Sequence, residues 1–264
     1  MFYTVIQNTI NTTIRKIGSL FEWLVEYESV KEEIMKILGD SDTRKNIKEF
    51  KEVIIKDGIF KYPEKNKKFV IPNFEMRKGD KISLMGESGQ GKSTILNILF
   101  GVYDLNEGKF LVDGKNVMNR KFDAAFISQD VEVFDLSIRE NLTLGENISD
   151  EEILKLFEEA GLMDWYKTLP NGLSECIGER GIKVSVGQKQ RLNVIRGILK
   201  NKSLYLIDEP TSNLDKETEE CITKMIEKHL KDKTYIIVTH RERLKEICTK
   251  HYIIKKNKLE LEEK

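Results

Sequence analysis

The chain has 264 residues, with 44 Lys and Arg against 44 Asp and Glu, so its formal net charge is zero and nothing in the balance favours nucleic acid or an anionic membrane as the main partner. Three cysteines (Cys176, Cys221, Cys248) are too few and too scattered for a disulfide framework or a zinc cluster and read as reduced thiols. No run approaches the ~20 apolar residues of a membrane span, and Met1-Phe-Tyr-Thr-Val-Ile-Gln-Asn8 lacks the basic start and apolar core of a signal peptide, so a soluble chain of one large or two modest domains is expected.

In chain order, Ile14, Ile17, Phe21, Leu24, Val30, Ile34 and Ile37 recur at three- and four-residue steps and predict an amphipathic helix up to about Leu38. Its apolar face requires cover, from the chain's own core or from a partner subunit. Gly39-Asp40 ends it, and Ser41 to Lys51 reads as a polar linker. From Val53 the pattern turns to short β-type runs: Val53–Ile55, Phe69–Ile71, Ile82–Met85 and Phe110–Asp113. Three later ones, Ala124–Ile127, Leu204–Ile207 and Tyr235–Val238, each run into polar residues, as buried parallel strands do when they deliver side chains to a site at their C-terminal edge. Ser149-Asp-Glu-Glu152 has the form of a capping box opening a helix that Gly161 closes, and Leu192, Ile195 and Leu199 share one face of another. Strands interleaved with helices predict an α/β layered fold, with a mainly helical insertion from about Val131 to Asn201.

Gly86-Glu-Ser-Gly-Gln-Gly-Lys-Ser-Thr94 fits the phosphate-loop pattern, between a predicted strand and a helical run. Glycines at Gly86, Gly89 and Gly91 let the backbone curl so that N–H groups along Glu87, Ser88 and Gln90 face an anion, and the helix N-terminus adds a favourable dipole. Lys92 is then expected on the β- and γ-phosphates of a nucleoside triphosphate, with the Ser93 hydroxyl on Mg²⁺. Leu204-Tyr-Leu-Ile-Asp-Glu-Pro210 places two carboxylates where an apolar strand emerges: Asp208 suits Mg²⁺, and Glu209 suits the attacking water as general base. Gln129 is either a surface glutamine or a sensor of Mg²⁺ and water. His240, at the tip of a predicted strand, is either a packed side chain or a γ-phosphate contact.

With these residues in place, the chain resembles the nucleotide-binding domain of ATP-binding cassette (ABC) transporters from about residue 46 onward. Gly86 to Thr94 is similar to the family's Walker A loop and Leu204 to Glu209 to Walker B. Ser212-Asn-Leu-Asp215 is similar to the D-loop, Gln129 to the Q-loop glutamine and His240 to the switch histidine. The resemblance implies a P-loop NTPase fold, with a RecA-like mixed sheet, an antiparallel edge and a helical subdomain over about 131–201, preceded by an N-terminal helix and linker over 1–45. It implies ATP and Mg²⁺ as cofactors and ATP hydrolysis coupled to transport, and it gives Tyr62 the role of stacking on adenine. Val184-Ser-Val-Gly-Gln188 looks like the family signature, normally Leu-Ser-Gly-Gly-Gln, in which Ser185, Gly187 and Gln188 cap the ATP of a second nucleotide-binding domain. Val186 departs from it, since a β-branched residue disfavours the positive φ that glycine permits and adds bulk near phosphate. That departure favours a heterodimer whose partner has an intact signature, with a homodimer as the competitor. Ser137-Ile-Arg-Glu-Asn-Leu142 and Gly178-Glu-Arg-Gly181 resemble exporter segments, and the N-terminal helix resembles the cytosolic end of an exporter's last transmembrane helix. The implied partners are the transmembrane domain and a second nucleotide-binding domain, with no nucleic acid, at the cytoplasmic face of the membrane. Two other readings are a non-transport ABC ATPase and a nucleotide-binding regulatory module with little turnover. The connection from Gly114 to Gln129 is a few residues short for the family.

Overall fold

The run Leu204–Asp208 is apolar without alternation because it serves two cores. Leu204 and Leu206 belong to one buried cluster and Tyr205 and Ile207 to another, and successive side chains of a strand point to opposite faces. Ile236 and Val238 likewise join the first cluster, Tyr235 and Ile237 the second. The computed structural model describes residues 44–63, 67–178 and 183–262. The expected N-terminal helix lies outside the described residues, as do Glu179, Arg180 and Gly181.

Strands β1 (Lys45–Ile47), β2 (Glu52–Lys61), β3 (Lys68–Arg77) and β4 (Lys81–Gly86) lead to helix α1 (Lys92–Phe100). Then come β5 (Glu107–Val112), β6 (Lys115–Asn116), β7 (Arg120–Phe122) and β8 (Ala124–Ile127). A mainly helical stretch holds β9 (Leu136–Ser137), α2 (Ile138–Thr143), α3 (Asp150–Glu159), α4 (Met163–Lys167), β10 (Cys176–Ile177) and α5 (Val186–Leu199). The described part closes with β11 (Leu204–Asp208), α6 (Lys216–His229), β12 (Thr234–Val238), α7 (Glu242–Glu246), β13 (Lys250–Lys255) and β14 (Lys258–Leu261).

Among the described residues, ten strands form one sheet in the order β6-β5-β2-β3-β14-β13-β4-β12-β11-β8. The five from β13 to β8 run parallel, and β6, β5, β2 and β3 pair antiparallel. The mixed α/β fold with an antiparallel edge is therefore present. Parallel pairing puts the C-terminal ends of β4, β12, β11 and β8 on one edge of the sheet. The next residues there are the glycine-rich loop, Thr239-His240, Glu209 and Ser128-Gln129.

One buried cluster packs α1 (Ile95, Leu96, Ile98, Leu99) with β2, β3, β4 and β5; the other packs α2, α3, α5 and α6 with β8, β11 and β12. Residues of the predicted helical face, Leu192, Ile195 and Leu199, are buried in that second cluster. Helix α3 is capped by Ser149, which accepts from the Glu152 N–H. The reciprocal capping box forms at two other places, Ser137 with Glu140 and Ser185 with Gln188. Gly161 follows the helix at φ +63°, the left-handed position that ends helices. The connection between Gly114 and Gln129 carries Arg120, which is fully buried. Its guanidinium donates to Asp104 Oδ1 and to the Ile98 carbonyl, both at 2.8 Å, and lies 3.4 Å from the centre of the Phe110 ring. Burial pushes its pKa down to about 10 in spite of Asp104. Strands β13 and β14, which no apolar run announced, complete the sheet beside β4.

Candidate nucleotide site

Helix α1 has no side-chain cap, so the first N–H groups of Lys92, Ser93 and Thr94 lack partners within the helix and the positive end of its dipole is open. The loop before it needs its glycines. Gly91 caps the helix at φ +108°, and a Cβ there would stand 2.6 Å from the Phe69 ring. Gly86 passes so close to β13 that a Cβ would meet the Ile254 carbonyl at 2.9 Å. Gln90 Nε2 donates to Glu87 Oε2 at 2.8 Å, and Gly86, Glu87 and Gln90, expected from the sequence at the phosphates, are not among the residues that line the cleft. The cleft has a volume of about 520 Å³, within the ordinary range for small-ligand sites.

Strands from across the chain converge on this cleft. Tyr62, Ser88, Gly89, Gly91, Lys92, Ser93, Thr94, Gln129, Asp208, Glu209 and His240 all line it, together with Lys67. Lys92 is buried, with Nζ 2.7 Å from the Gly86 carbonyl, 3.1 Å from His240 Nε2 and 3.8 Å from Glu209 Oε1. An ammonium only donates, so in this contact His240 Nε2 is the acceptor. Glu209 adopts φ +44°, uncommon for a residue with a side chain, and its N–H donates to the Val238 carbonyl at 3.0 Å. That turn carries the carboxylate off the strand direction to within 3.6 Å of His240 Nε2.

Ser93 Oγ donates to Asp208 Oδ2 at 2.6 Å. Asp208 is buried, and its pKa is raised first by desolvation and further by the charges of Glu209 and Asp130, against the opposing Ser93 hydrogen bond and Lys92 charge. A hydroxyl and a buried carboxylate side by side are hard oxygen donors. Mg²⁺ takes one or two such protein ligands and completes its shell with water and phosphate oxygens, so this pair fits that ion. Tyr62 Oη lies 2.6 Å from Thr94 Oγ1, and its half-buried ring packs edge-on against Phe60 at 5.1 Å. Gln129 is exposed at the cleft wall.

Ser185, Gly187 and Gln188 are not in this cleft. They open α5, where Ser185 Oγ accepts from the Gln188 N–H (3.2 Å) and Gln188 Oε1 accepts from the Ser185 N–H (2.8 Å). Val186 is the first residue of that helix, without positive φ, and is 61% exposed. The expected backbone strain at Val186 is therefore not found: the capping box sets the helix start, and there a β-branched residue is admissible. Its bulk remains, pointing into solvent beside Ser185.

Several residues that tie these segments together were not singled out from the sequence. Buried Gln190 donates to Ser212 Oγ (2.9 Å) and accepts from the Asn213 N–H (3.3 Å), linking α5 to the Ser212–Asp215 turn. Asn193 donates to the Ser128 carbonyl beside Gln129 at 3.0 Å. Arg241, next to His240, pairs with Glu219 at 3.2 Å and reaches the Thr211 and Ser212 carbonyls at 3.4 Å. The signal for Gln190 was its place two residues after Gln188, on another helix face.

Comparison with known proteins agrees with this geometry. Residues 71–212, more than half of the chain, match the family described as "ABC transporter". The chain belongs to the ABC transporter family. An ATP-dependent lipid A-core flippase of Photobacterium profundum is 34% identical over 234 residues, covering 84% of this ABC chain and 38% of that protein. Multidrug resistance protein pgp-1 of Caenorhabditis elegans is 36% identical over 206 residues, 75% of this chain and 16% of that one. Among solved structures, a bacterial Atm1-family ABC exporter with ATP bound superposes with a TM-score of 0.73 at 26% identity, over 87% of this chain and 42% of that chain. The chain thus spans little more than a third of the curated flippases it matches, 34% and 38% of their lengths. It is an ABC nucleotide-binding domain of the P-loop NTPase fold, and the family binds ATP. No described helix is long and apolar enough to cross a membrane.

Proposed function

We propose that this chain hydrolyses ATP with Mg²⁺ and couples closure of a nucleotide-binding-domain dimer to export by transmembrane domains, from the cytoplasmic face of a membrane. The convergence of Lys92, Ser93, Asp208, Glu209 and His240 on one cleft carries this reading. In it, residues 46–264 form the nucleotide-binding domain, with a helical subdomain over about 131–201. Lys92 neutralises the β- and γ-phosphates, the open N-terminus of α1 holds them through its N–H groups, and Tyr62 supports the adenine. Ser93, Asp208 and Gln129 would hold Mg²⁺, which neutralises charge on the phosphate oxygens when bound. Glu209 orients the attacking water and takes its proton, and His240 turns from Lys92 to the γ-phosphate.

Ser185 and Gln188 suit the capping of a second domain's nucleotide. The capping box uses one lone pair of Ser185 Oγ and leaves its O–H, and the Gln188 amide N–H groups, for an anion. Exposed Val186 in place of glycine supports a heterodimer whose partner supplies an intact signature. The intact capping box supports the alternative, a homodimer. The test compares wild type, Glu209→Gln and the double variant Glu209→Gln, Val186→Gly. Turnover is expected to fall on the order of 10²–10⁴-fold in Glu209→Gln with Mg-ATP binding retained; unchanged turnover refutes the role of Glu209. In light scattering with ATP, a dimer of Glu209→Gln alone means self-pairing, and one that forms only with Val186→Gly means the valine blocks it.

A further inference from the structure

Lys67 lies in a charged stretch, Lys65 to Lys68, that by composition alone is a solvated turn. The fold gives it a different position. It is half-buried in the wall of the nucleotide cleft, where its Nζ donates to the Gly89 carbonyl at 2.6 Å and stands 6.0 Å from the centre of the Tyr62 ring. The ammonium therefore lies between the aromatic ring and the apex of the phosphate loop. Lys92 is drawn to the other side, toward Gly86, His240 and Glu209.

Two physical points turn this position into a role. First, Gly89 sits at φ +73°, and a Cβ built on it would meet nothing within 4 Å, so no packing holds the loop apex on that side. The bond from Lys67 is what fixes the Gly89 carbonyl there. Second, an ammonium has three donors, and the bond to Gly89 uses one of them. The others, and the full charge, remain for a ligand that enters along Tyr62.

We propose that Lys67 is a second nucleotide-binding cation, contacting the ribose and α-phosphate end of the nucleotide while Lys92 serves the β- and γ-phosphates. This rests on the reading of the cleft as an ATP site with the base on Tyr62. A lysine contact at that end strengthens every adenine nucleotide alike, because ATP and ADP share the α-phosphate. The cleft is open to water, so the attraction is moderate and screened by salt.

The test is calorimetric titration of the full chain with Mg-ATP and Mg-ADP at about 50 and 200 mM salt. It uses wild type, Lys67→Met, which keeps the length of the stem, and Lys67→Arg. Lys67→Met is expected to weaken both nucleotides by about tenfold and to flatten the salt dependence, with Lys67→Arg within about threefold of wild type. A role limited to holding the loop would weaken binding without changing its salt dependence, and that result overturns the proposal. So does Lys67→Met binding within about twofold of wild type, or a loss confined to ATP, which would put the cation at the γ-phosphate. Wild type that binds neither nucleotide overturns the ATP-site reading and this proposal with it; normal wild-type binding with an unaffected Lys67→Met overturns this proposal alone.

Discussion

Gly91→Ala perturbs the helix cap that opens the nucleotide loop, and its cost can be worked from two independent contributions. The residue sits at φ +108°, ψ +19°, well beyond the small left-handed region that L-residues occupy, and a single residue forced into left-handed backbone costs about 1–2 kcal/mol. The new methyl would also stand 2.6 and 2.8 Å from Cδ2 and Cε2 of Phe69, a ring with no exposure and no room to swing away. Overpacking of that kind costs about 1–3 kcal/mol. The sum, about 2–5 kcal/mol, is a large share of the ~5–15 kcal/mol by which a native domain is stable. It corresponds to a fall in melting temperature of roughly 4–20 °C for a domain of this size. The assay is urea and thermal unfolding of wild type, Gly91→Ala, Phe69→Leu and the double variant. Phe69→Leu relieves the clash and leaves the backbone cost, so the double variant should recover about 1–3 kcal/mol as a coupling energy and retain about 1–2 kcal/mol of loss. A Gly91→Ala cost below about 1 kcal/mol, or no coupling to Phe69, refutes the reasoning.

Gln190→Leu removes the bonds to the Asn213 N–H and the Ser212 hydroxyl, at a cost of about 1 kcal/mol because Asn213 is exposed and Ser212 Oγ keeps the Asn213 side-chain bond. Because it frees the turn and touches no residue of the cleft, turnover is expected to drop more than nucleotide affinity, and equal changes in the two would contradict this. Glu159 on α3 is held by Lys228 and His229 of α6, at 2.7 and 2.6 Å. Burial opposes its ionisation, yet hydrogen bonds and charge from those two residues outweigh it, so its folded pKa lies below the ordinary value. Its contribution is therefore present above the unfolded pKa of about 4.3 and is lost as pH falls through the lowered folded value. Glu159→Gln should cost about 1 kcal/mol at pH 7 and progressively less below about pH 4 in chemical unfolding, and a cost that does not depend on pH would refute the assignment.

The glycine-rich loop, the two carboxylates after Leu204–Ile207 and the histidine after Tyr235–Val238 were legible in the sequence. Each is a short pattern whose chemistry depends on neighbouring residues: glycines for positive φ, a helix N-terminus for an anion, an apolar strand to carry a side chain to its end. That the three belong to one site also followed, because buried parallel strands deliver their ends to a common edge. Strands β13 and β14 were not legible, since Lys250–Lys255 and Lys258–Leu261 mix charged and apolar residues; they pair with each other across a short turn, and their other partners, β4 and β3, are distant in sequence. For Val186 the residue type alone leaves open whether the loop tolerates a β-branched side chain. Positive φ is the glycine's permission, and the Ser185–Gln188 capping box starts the helix there without using it.

By itself, then, the sequence determined which residues could hold phosphate, metal and water, because those requirements act over a few bonds. Tertiary structure alone decided which other residues reach them. Lys67, just before β3, rests on Gly89 of the glycine-rich loop, Gln190 reaches Ser212 and Asn213 across a helix and a turn, and Glu209 turns back toward Lys92 with its N–H bonded to Val238. These contacts join segments from about twenty to more than a hundred residues apart, and no local preference encodes them. They exist because the sheet order places those segments side by side.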